Sequence, residues 1–164
     1  MPNFIGVRHV GLEGKNLATL AEFYRDVMGM TIVRESPADS PFGASLFLSA
    51  HPEEEDHEVV FFQTNPLLAH TAFKVASLGE LLTFYRQMKE RGLPIKFTLN
   101  HGTSFSFYFD DPEGHMIEVY WPTNVLVPPS LSYAYPIDFD EEVLQRELES
   151  MTRQFGLSTA STLK

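Results

Sequence analysis

The chain has 164 residues, 43% of them hydrophobic and 14 of them phenylalanine, which indicates a folded protein, most simply one domain with a substantial core. A net charge of -10 argues against a nucleic-acid-binding surface, and no apolar run is long enough to predict a membrane helix. The absence of cysteine excludes disulfides and thiolate ligands and, with an N-terminus that lacks a secretory signal pattern, predicts a cytoplasmic protein.

The first part of the chain, residues 4–63, has the pattern of a βαβββ unit. Residues 4–11 alternate between apolar and polar side chains and predict a strand that contains His9. Asn16 is a candidate N-cap for the helix that follows, and Gly29 is expected to end it. The remaining strands of this unit are predicted at 30–34, 44–49 and 58–63.

Residues 68–121 repeat the same order of elements. A strand at 68–75 contains His70, and Ser77 with Glu80 three residues later predicts a capping box at the start of a helix. Later strands are predicted at 95–99, 104–110 and 115–121, the last two forming a hairpin through Asp-Pro-Glu-Gly. The predicted fold class is therefore α+β, with two paired βαβββ units in residues 1–121.

The two units carry histidines at matching positions. His9 precedes Phe23 by 14 residues and His70 precedes Phe84 by 14 residues, so the repeat offset is 61. Glu118 adds a carboxylate inside an otherwise apolar strand, where burial without a cation is unfavourable. Two histidines and one carboxylate on separate strands predict a metal site with open coordination positions. This donor set suits Fe(II), and Mn(II), Co(II) or Zn(II) fit the same ligand types.

A different interpretation of these residues needs no site. The repeat alone is compatible with an ordinary α+β sheet domain, in which the histidines pack or hydrogen-bond and Glu118 faces solvent.

The trio His9, His70 and Glu118 resembles the three metal ligands of the vicinal-oxygen-chelate superfamily, in order and in place within the repeat. Within that superfamily the chain is most similar to the metal-bearing module of type I extradiol ring-cleavage dioxygenases, over about residues 4–121. The resemblance implies two units that form a half-barrel around Fe(II) or Mn(II). It implies a catechol and O2 as substrates.

Three further residues match that dioxygenase pattern. The resemblance implies that His57, just before the strand 58–63, is an acid/base residue that supplies a proton during O–O cleavage. It also implies that His101 and Tyr108 form a substrate-binding pair that hydrogen-bonds the catechol oxygens. The simpler interpretations are a solvated loop histidine for His57, which follows an acidic run, and a core aromatic for Tyr108. His51 and His115 match no role.

Other activities remain open from the sequence. The same metal trio is shared by thiol transferases and epimerases of the superfamily, which have no use for His57, His101 and Tyr108, and a glyoxalase-like isomerase is a further alternative. A bleomycin-resistance-type binding protein would need none of the metal trio. The favoured prediction is a non-haem Fe(II)-dependent extradiol dioxygenase that incorporates both atoms of O2.

Residues 122–164 are predicted to form an arm, a helix and a tail. The arm at 122–137 has four prolines and several apolar side chains, and the helix at 139–155 has Asp138 as its candidate N-cap. Its apolar stripe is formed by Leu144, Leu148, Met151 and Phe155. We expect the arm or helix to cover the site or to pack on a second subunit, which predicts a homo-oligomer.

Overall fold

The structure is a computed structural model that describes residues 3–128 and 134–157. These residues contain nine strands of mixed sheet, three α-helices and one short 3-10 helix, so the predicted α+β class is confirmed. They fall into two compact units, a first unit of residues 7–72 and a second unit made from the described parts of 1–6 and 73–164. The predicted tail at 158–164 and the arm residues 129–133 lie outside the described residues.

The first βαβββ copy is present as predicted. Its elements are β1 (Phe4–Gly14), α1 (Leu17–Asp26), β2 (Thr31–Ser36), β3 (Ser45–Ser49) and β4 (Val59–Gln63). The strand order is β2-β3-β4-β1, antiparallel except that β4 runs parallel to β1. This parallel pairing begins with Val10 opposite Val59, and His9 and His57 both come just before these first paired residues.

The helix α1 begins and packs as its sequence suggests. The Asn16 side chain accepts a hydrogen bond from the backbone N–H of Thr19, which satisfies one of the amides left unpaired at a helix N-terminus. Ala21 is buried and joins Leu46 and Phe61 in the core of the first unit. Phe61 is paired with Leu12 of β1, and side chains alternate along a strand, so α1 lies on the sheet face opposite His9.

The second βαβββ copy is also present, and it begins with β5 (His70–Val75). It continues with α2 (Leu78–Glu90), β6 (Phe97–Asn100), β7 (Ser104–Asp110) and β8 (Met116–Pro122). The helices α1 and α2 both begin directly after a capping residue, Asn16 or Ser77, so the 61-residue offset extends to the helix starts. The predicted hairpin pairs β7 with β8 and sets Tyr108 opposite Glu118.

Residues after β8 complete the second unit. The short strand β9 (Tyr135–Pro136) pairs with β6, which gives the order β8-β7-β6-β9 within this unit. The helix α3 (Glu141–Phe155) follows.

The prediction of Asp138 as the N-cap of α3 was wrong, because Asp140 caps this helix. The Asp140 carboxylate accepts hydrogen bonds from the backbone N–H groups of Glu142 and Val143 at 2.9 and 3.3 Å. The physical reason lies in the preceding segment. The backbone N–H of Ile137 still bonds to β6, and Phe139 is buried in the core, so the chain stays extended until Asp140.

The apolar stripe of α3 is buried within the second unit. Leu144 is fully buried and Met151 is 8% exposed, while Leu148 and Phe155 pack against the same core cluster. The stripe is therefore used in packing inside the chain. Among the described helices, none combines the length and apolar character that a membrane crossing requires.

Candidate metal and substrate site

His9 and His70 bring two imidazole nitrogens together. Their Nε2 atoms are 3.2 Å apart, and the rings meet at an interplanar angle of 87°. His9 is buried in β1, with 7% of its surface exposed, and His70 begins β5. Two nitrogens about 2.1 Å from one ion would be this far apart at an angle of about 100°, which suits a first-row divalent metal.

A backbone carbonyl fixes the orientation of the His70 ring. Its Nδ1 atom lies 2.7 Å from the carbonyl oxygen of Leu68, at the end of the 3-10 helix Pro66–Leu68. A carbonyl only accepts, so Nδ1 carries the proton and Nε2 keeps a lone pair. This arrangement is typical of metal-binding histidines, whose second nitrogen donates to a backbone or carboxylate oxygen.

Gly11 is a site residue that the sequence analysis missed. A Cβ atom added at Gly11 would lie 2.5 Å from Nδ1 of His70 and 2.7 Å from its Cε1. Glycine at this position therefore lets the His70 ring lie against the backbone of β1. The signal in the sequence was its place two residues after His9, but nothing in the pattern indicated which side chain approaches it.

His57 lies beside His9 rather than in solvent. Their ring centroids are 4.4 Å apart, and only 14% of the His57 side chain is exposed, which argues against the solvated-loop interpretation. Its Nδ1 atom is 2.9 Å from a carboxylate oxygen of Asp56. Burial, together with the neighbouring His9, lowers the pKa of His57 to about 4, although Asp56 acts in the opposite direction.

Glu118 is buried on β8, with 3% of its surface exposed. The alternative of a solvent-facing glutamate is therefore wrong. On the adjacent strand β7, Tyr108 faces Glu118 directly. Burial, followed by the neighbouring Glu118 charge, raises the pKa of Tyr108 well above its usual range.

His101 and Tyr108 form a pair in the second unit. The His101 Nε2 atom lies 3.0 Å from the Tyr108 hydroxyl oxygen. Tyr108 has one hydroxyl proton, and an ionised carboxylate only accepts, so a tyrosine that donates to Glu118 must accept from His101. Tyr108 is thus next to both His101 and Glu118.

The donor types of the predicted metal trio suit a divalent ion. His9 and His70 present two Nε2 atoms 3.2 Å apart within the first unit, and Glu118 is a buried carboxylate of the second unit. Two imidazoles and one carboxylate are donors that Fe(II) and Mn(II) accept, and they leave coordination positions for other ligands. The buried carboxylate of Glu118 also favours a cation, because an isolated buried charge is unfavourable.

The remaining histidines are held at the surface. His51 Nδ1 lies 3.1 Å from Glu58, and His115 Nδ1 lies 3.0 Å from Asp111, both side chains being mostly exposed. Neither belongs to the metal-ligand group. Their interpretation as loop or turn residues therefore agrees with the structure.

Comparison with known families identifies the chain's class. A family model described as the Glyoxalase/Bleomycin resistance protein/Dioxygenase superfamily matches residues 6–119, which is more than half of the chain. The chain belongs to this superfamily. The match spans both βαβββ copies and all of the predicted site residues.

Relatives include proteins with two activities. Biphenyl-2,3-diol 1,2-dioxygenase 3 from Rhodococcus globerulus is 33% identical over 122 residues, covering 68% of this chain and 60% of the relative. Metallothiol transferase FosB from Staphylococcus haemolyticus (strain JCSC1435) is 28% identical over 120 residues, covering 70% of this chain and 82% of the relative.

Solved structures with the same fold are longer proteins. The 2,3-dioxygenase LapB from Pseudomonas sp. KL28 aligns with a TM-score of 0.61 and 20% identity, covering 70% of this chain and 41% of that protein. Homoprotocatechuate 2,3-dioxygenase from Brevibacterium fuscum, in complex with 3,4-dihydroxyphenylacetate, aligns with a TM-score of 0.60 and 17% identity, covering 90% and 41%. At these identities the likeness concerns the fold. The chain spans 60% of the first dioxygenase relative it matches.

Proposed function

We propose that this chain is an extradiol ring-cleavage dioxygenase, with His9, His70 and Glu118 as ligands of Fe(II) or, in its place, Mn(II). The observation that carries the proposal is the His9–His70 pair, whose Nε2 atoms lie 3.2 Å apart in the first unit, and the buried Glu118 is proposed as the third ligand. The His101–Tyr108 pair beside Glu118 supports the same activity. The substrates are a catechol and O2.

Fe(II), when bound, supplies open coordination positions and a redox couple through which electrons pass from the catechol to dioxygen. The reaction breaks a ring carbon–carbon bond next to one hydroxyl group and incorporates both oxygen atoms into the product. The protein's part is to orient the catechol, exclude water and move protons.

His101 and Tyr108 act on the hydroxyl groups of the catechol. Both side chains are held by hydrogen bonds before any substrate arrives, so little reorganisation is needed to orient it. Tyr108 is 4% exposed, and its hydroxyl lies where a catechol oxygen near Glu118 can bond to it.

His57 acts as the proton carrier. Its imidazole lies against His9 at an interplanar angle of 42° and is held by Asp56, so the ring is fixed beside one proposed ligand. A neutral imidazole accepts a proton from the catechol and returns it when the O–O bond breaks.

Thiol transfer is the second candidate, and a specific observation favours it. The chain covers 82% of the matched metallothiol transferase but only 60% of the matched dioxygenase, so a larger share of the transferase is represented in this chain. A transferase would use the same metal trio. His57, His101 and Tyr108 would then have no role in the reaction, and this difference separates the two candidates.

The test is reconstitution of the full chain with Fe(II) under anaerobic conditions. The protein is then mixed with oxygenated buffer and a panel that contains catechol, 2,3-dihydroxybiphenyl and 3,4-dihydroxyphenylacetate. We expect a yellow ring-cleavage product, one O2 consumed per product, and two labelled oxygens from ¹⁸O2. A protein that retains iron, consumes no O2 with any catechol and instead joins a thiol to an epoxide substrate would establish the second candidate.

Variants separate binding from turnover. Glu118→Ala and His9→Ala are expected to lose metal, measured by elemental analysis, whereas the surface variant His115→Ala is a matched control that keeps it. His57→Ala is expected to keep metal and catechol binding but to lose about 100-fold or more in kcat. Loss of metal from His57→Ala would instead make His57 a fourth ligand and favour an isomerase-like site.

A further inference from the structure

A line of hydrogen bonds connects the C-terminal helix to the loop that carries His101. The backbone N–H of Gly102 donates to Oδ1 of Asn100 at 2.7 Å, and Nδ2 of Asn100 donates to the Tyr135 hydroxyl oxygen. The Tyr135 hydroxyl then donates to a carboxylate oxygen of Glu147 on α3 at 2.9 Å. All of these residues belong to the second unit.

The direction of this line is fixed by its two ends. A backbone amide can only donate and an ionised carboxylate can only accept, so the Asn100 amide group has one permitted orientation. Rotation of that amide by 180° would set an NH2 group against the N–H of Gly102 and an oxygen against Tyr135. The second Nδ2 hydrogen of Asn100 points to the Met151 sulfur at 3.7 Å, which further ties this side chain to α3.

Burial makes the line strong. Asn100 is fully buried, so its hydrogen bonds do not compete with water, and breaking one leaves a polar group unsatisfied. Strand pairing adds a second connection between the same residues, because Asn100 is paired with Tyr135 in the β6–β9 ladder.

The loop held in this way carries the proposed substrate-binding pair. His101 lies between Asn100 and Gly102, and its Nε2 reaches Tyr108. Gly102 is clamped on its other side, where its carbonyl accepts a hydrogen bond from the Thr123 hydroxyl at 2.6 Å. Gly102 has φ +79°, which glycine adopts readily, and an added Cβ would lie 3.1 Å from a Val127 methyl group, so the loop backbone lies close to Val127.

From this arrangement we infer that Asn100, Tyr135 and Glu147 are positioning residues, through which the segment after β8 sets the pose of His101 against Tyr108. The inference rests on the proposed function for its catalytic consequence. Its structural content concerns only the second unit. The segment 134–157 then contributes to the site without touching the substrate.

The experiment compares Tyr135→Phe with a matched control. Tyr135→Phe keeps the ring and removes the hydroxyl, which deletes two hydrogen bonds of the line. Glu149→Ala, on the same helix but exposed and paired only on the surface with Arg153, is the control. Glu147→Gln keeps an acceptor and serves as the conservative variant, which also covers the case in which Tyr135→Phe fails to fold.

Two readouts need neither metal nor activity. Amide hydrogen exchange at Gly102 and the His101 imidazole resonances in NMR spectra are measured on the metal-free full chain. We expect Tyr135→Phe to speed Gly102 exchange about tenfold and to shift the His101 resonances, with Glu147→Gln intermediate and Glu149→Ala like wild type. The third readout is steady-state kinetics on the Fe(II)-loaded chain, where KM for the catechol should rise about tenfold with metal content unchanged.

The outcomes distinguish this inference from the proposed function. Unchanged Gly102 exchange and His101 resonances in both Tyr135→Phe and Glu147→Gln would overturn the positioning role, whether or not the wild type cleaves catechols. If those signals change and the wild type is active, an unchanged KM and kcat would overturn it as well. A wild type without ring cleavage contradicts the proposed function alone, and the exchange and NMR results then decide the inference.

Discussion

At the scale of single residues, the orientation of His70 depends on a contact with Gly11 that the sequence pattern did not predict. His70 is held by the Leu68 carbonyl and rests against the backbone at Gly11, where any Cβ would overlap its ring. The orientation of the His70 ring therefore depends on having glycine at position 11. Ligand orientation by such neighbours commonly changes metal affinity about 10- to 100-fold.

Gly11→Ala tests this contact. The new methyl group would lie 2.5 Å from the His70 Nδ1 atom, so the ring must turn and lose its bond to Leu68. We expect a loss of about 1–3 kcal/mol in unfolding free energy by urea titration and weaker Fe(II) binding by about tenfold or more. Gly79→Ala is the control, because its Cβ has 3.9 Å of clearance in α2 and should be neutral or stabilising. Equal metal affinity in wild type and Gly11→Ala would contradict the orienting role.

At the scale of elements, hydrogen bonds from the backbone decide where helices and turns begin. The helix α3 starts after Asp140 because Ile137 and Phe139, which come before it, are buried in the core. The β7–β8 hairpin has a comparable anchor, since the Asp111 carboxylate accepts from the backbone N–H groups of Glu113 and His115, each at 2.9 Å.

The cap of α3 gives one prediction. Asp140→Ala removes the acceptor for two N–H groups and is expected to lower the unfolding free energy by about 1 kcal/mol. Asp138→Ala removes the same charge from a residue that does not cap the helix and should have less effect. Thermal and urea denaturation of both variants provide the comparison, and an equal or larger loss in Asp138→Ala would contradict the assignment.

The hairpin turn gives a pH dependence. The N–H of His115, followed by its side chain, holds the pKa of Asp111 below its usual range. A carboxyl group with a lowered pKa in the folded state stabilises the protein above its unfolded pKa, and this contribution disappears as pH falls through the folded value. Asp111→Asn should therefore be less stable than wild type at neutral pH, with the difference shrinking as the pH falls below about 4 and vanishing below the lowered folded-state pKa. Urea titrations between pH 2.5 and 7 measure this, with Glu113→Gln as the charge-matched control; a difference that stays constant with pH would count against it.

At the scale of the whole molecule, the segment after β8 is part of the fold. Ile137, Phe139, Leu144 and Met151 are all buried in the core cluster of the second unit. The α3 stripe is therefore no longer available as an argument for a second subunit. A homo-oligomer stays a prediction that light scattering of the full chain can test.

Removal of this segment is the matching prediction. Burying one large apolar side chain contributes about 1.5–3 kcal/mol, so four together are comparable to the whole stability of about 5–15 kcal/mol. A chain that ends at Thr123 should lose cooperative unfolding, measured by circular dichroism and protease resistance. As a point control, Leu144→Ala should cost about 2–5 kcal/mol, while Leu126→Ala, 54% exposed, should cost much less. A shortened chain with the wild-type melting temperature would show that residues 124–164 are dispensable for folding.

The sequence by itself determined the repeat, the element order and the identity of the candidate ligands. Periodic patterns and capping residues such as Asn16 and Ser77 are local signals, and their local geometry matches in both copies. His9, His70 and Glu118 could be selected because a metal donor inside an apolar strand is conspicuous without any knowledge of packing.

Only the tertiary structure decided what surrounds those residues. Three contacts join residues that are far apart in the sequence. They are the approach of Gly11 to His70, the burial of His57 beside His9, and the hydrogen bonds from Glu147 to Gly102. Side-chain contacts across strands depend on register and packing, which a one-dimensional pattern does not contain. The start of α3 at Asp140 has the same origin, because core packing of Ile137 and Phe139 overrode a plausible local cap at Asp138.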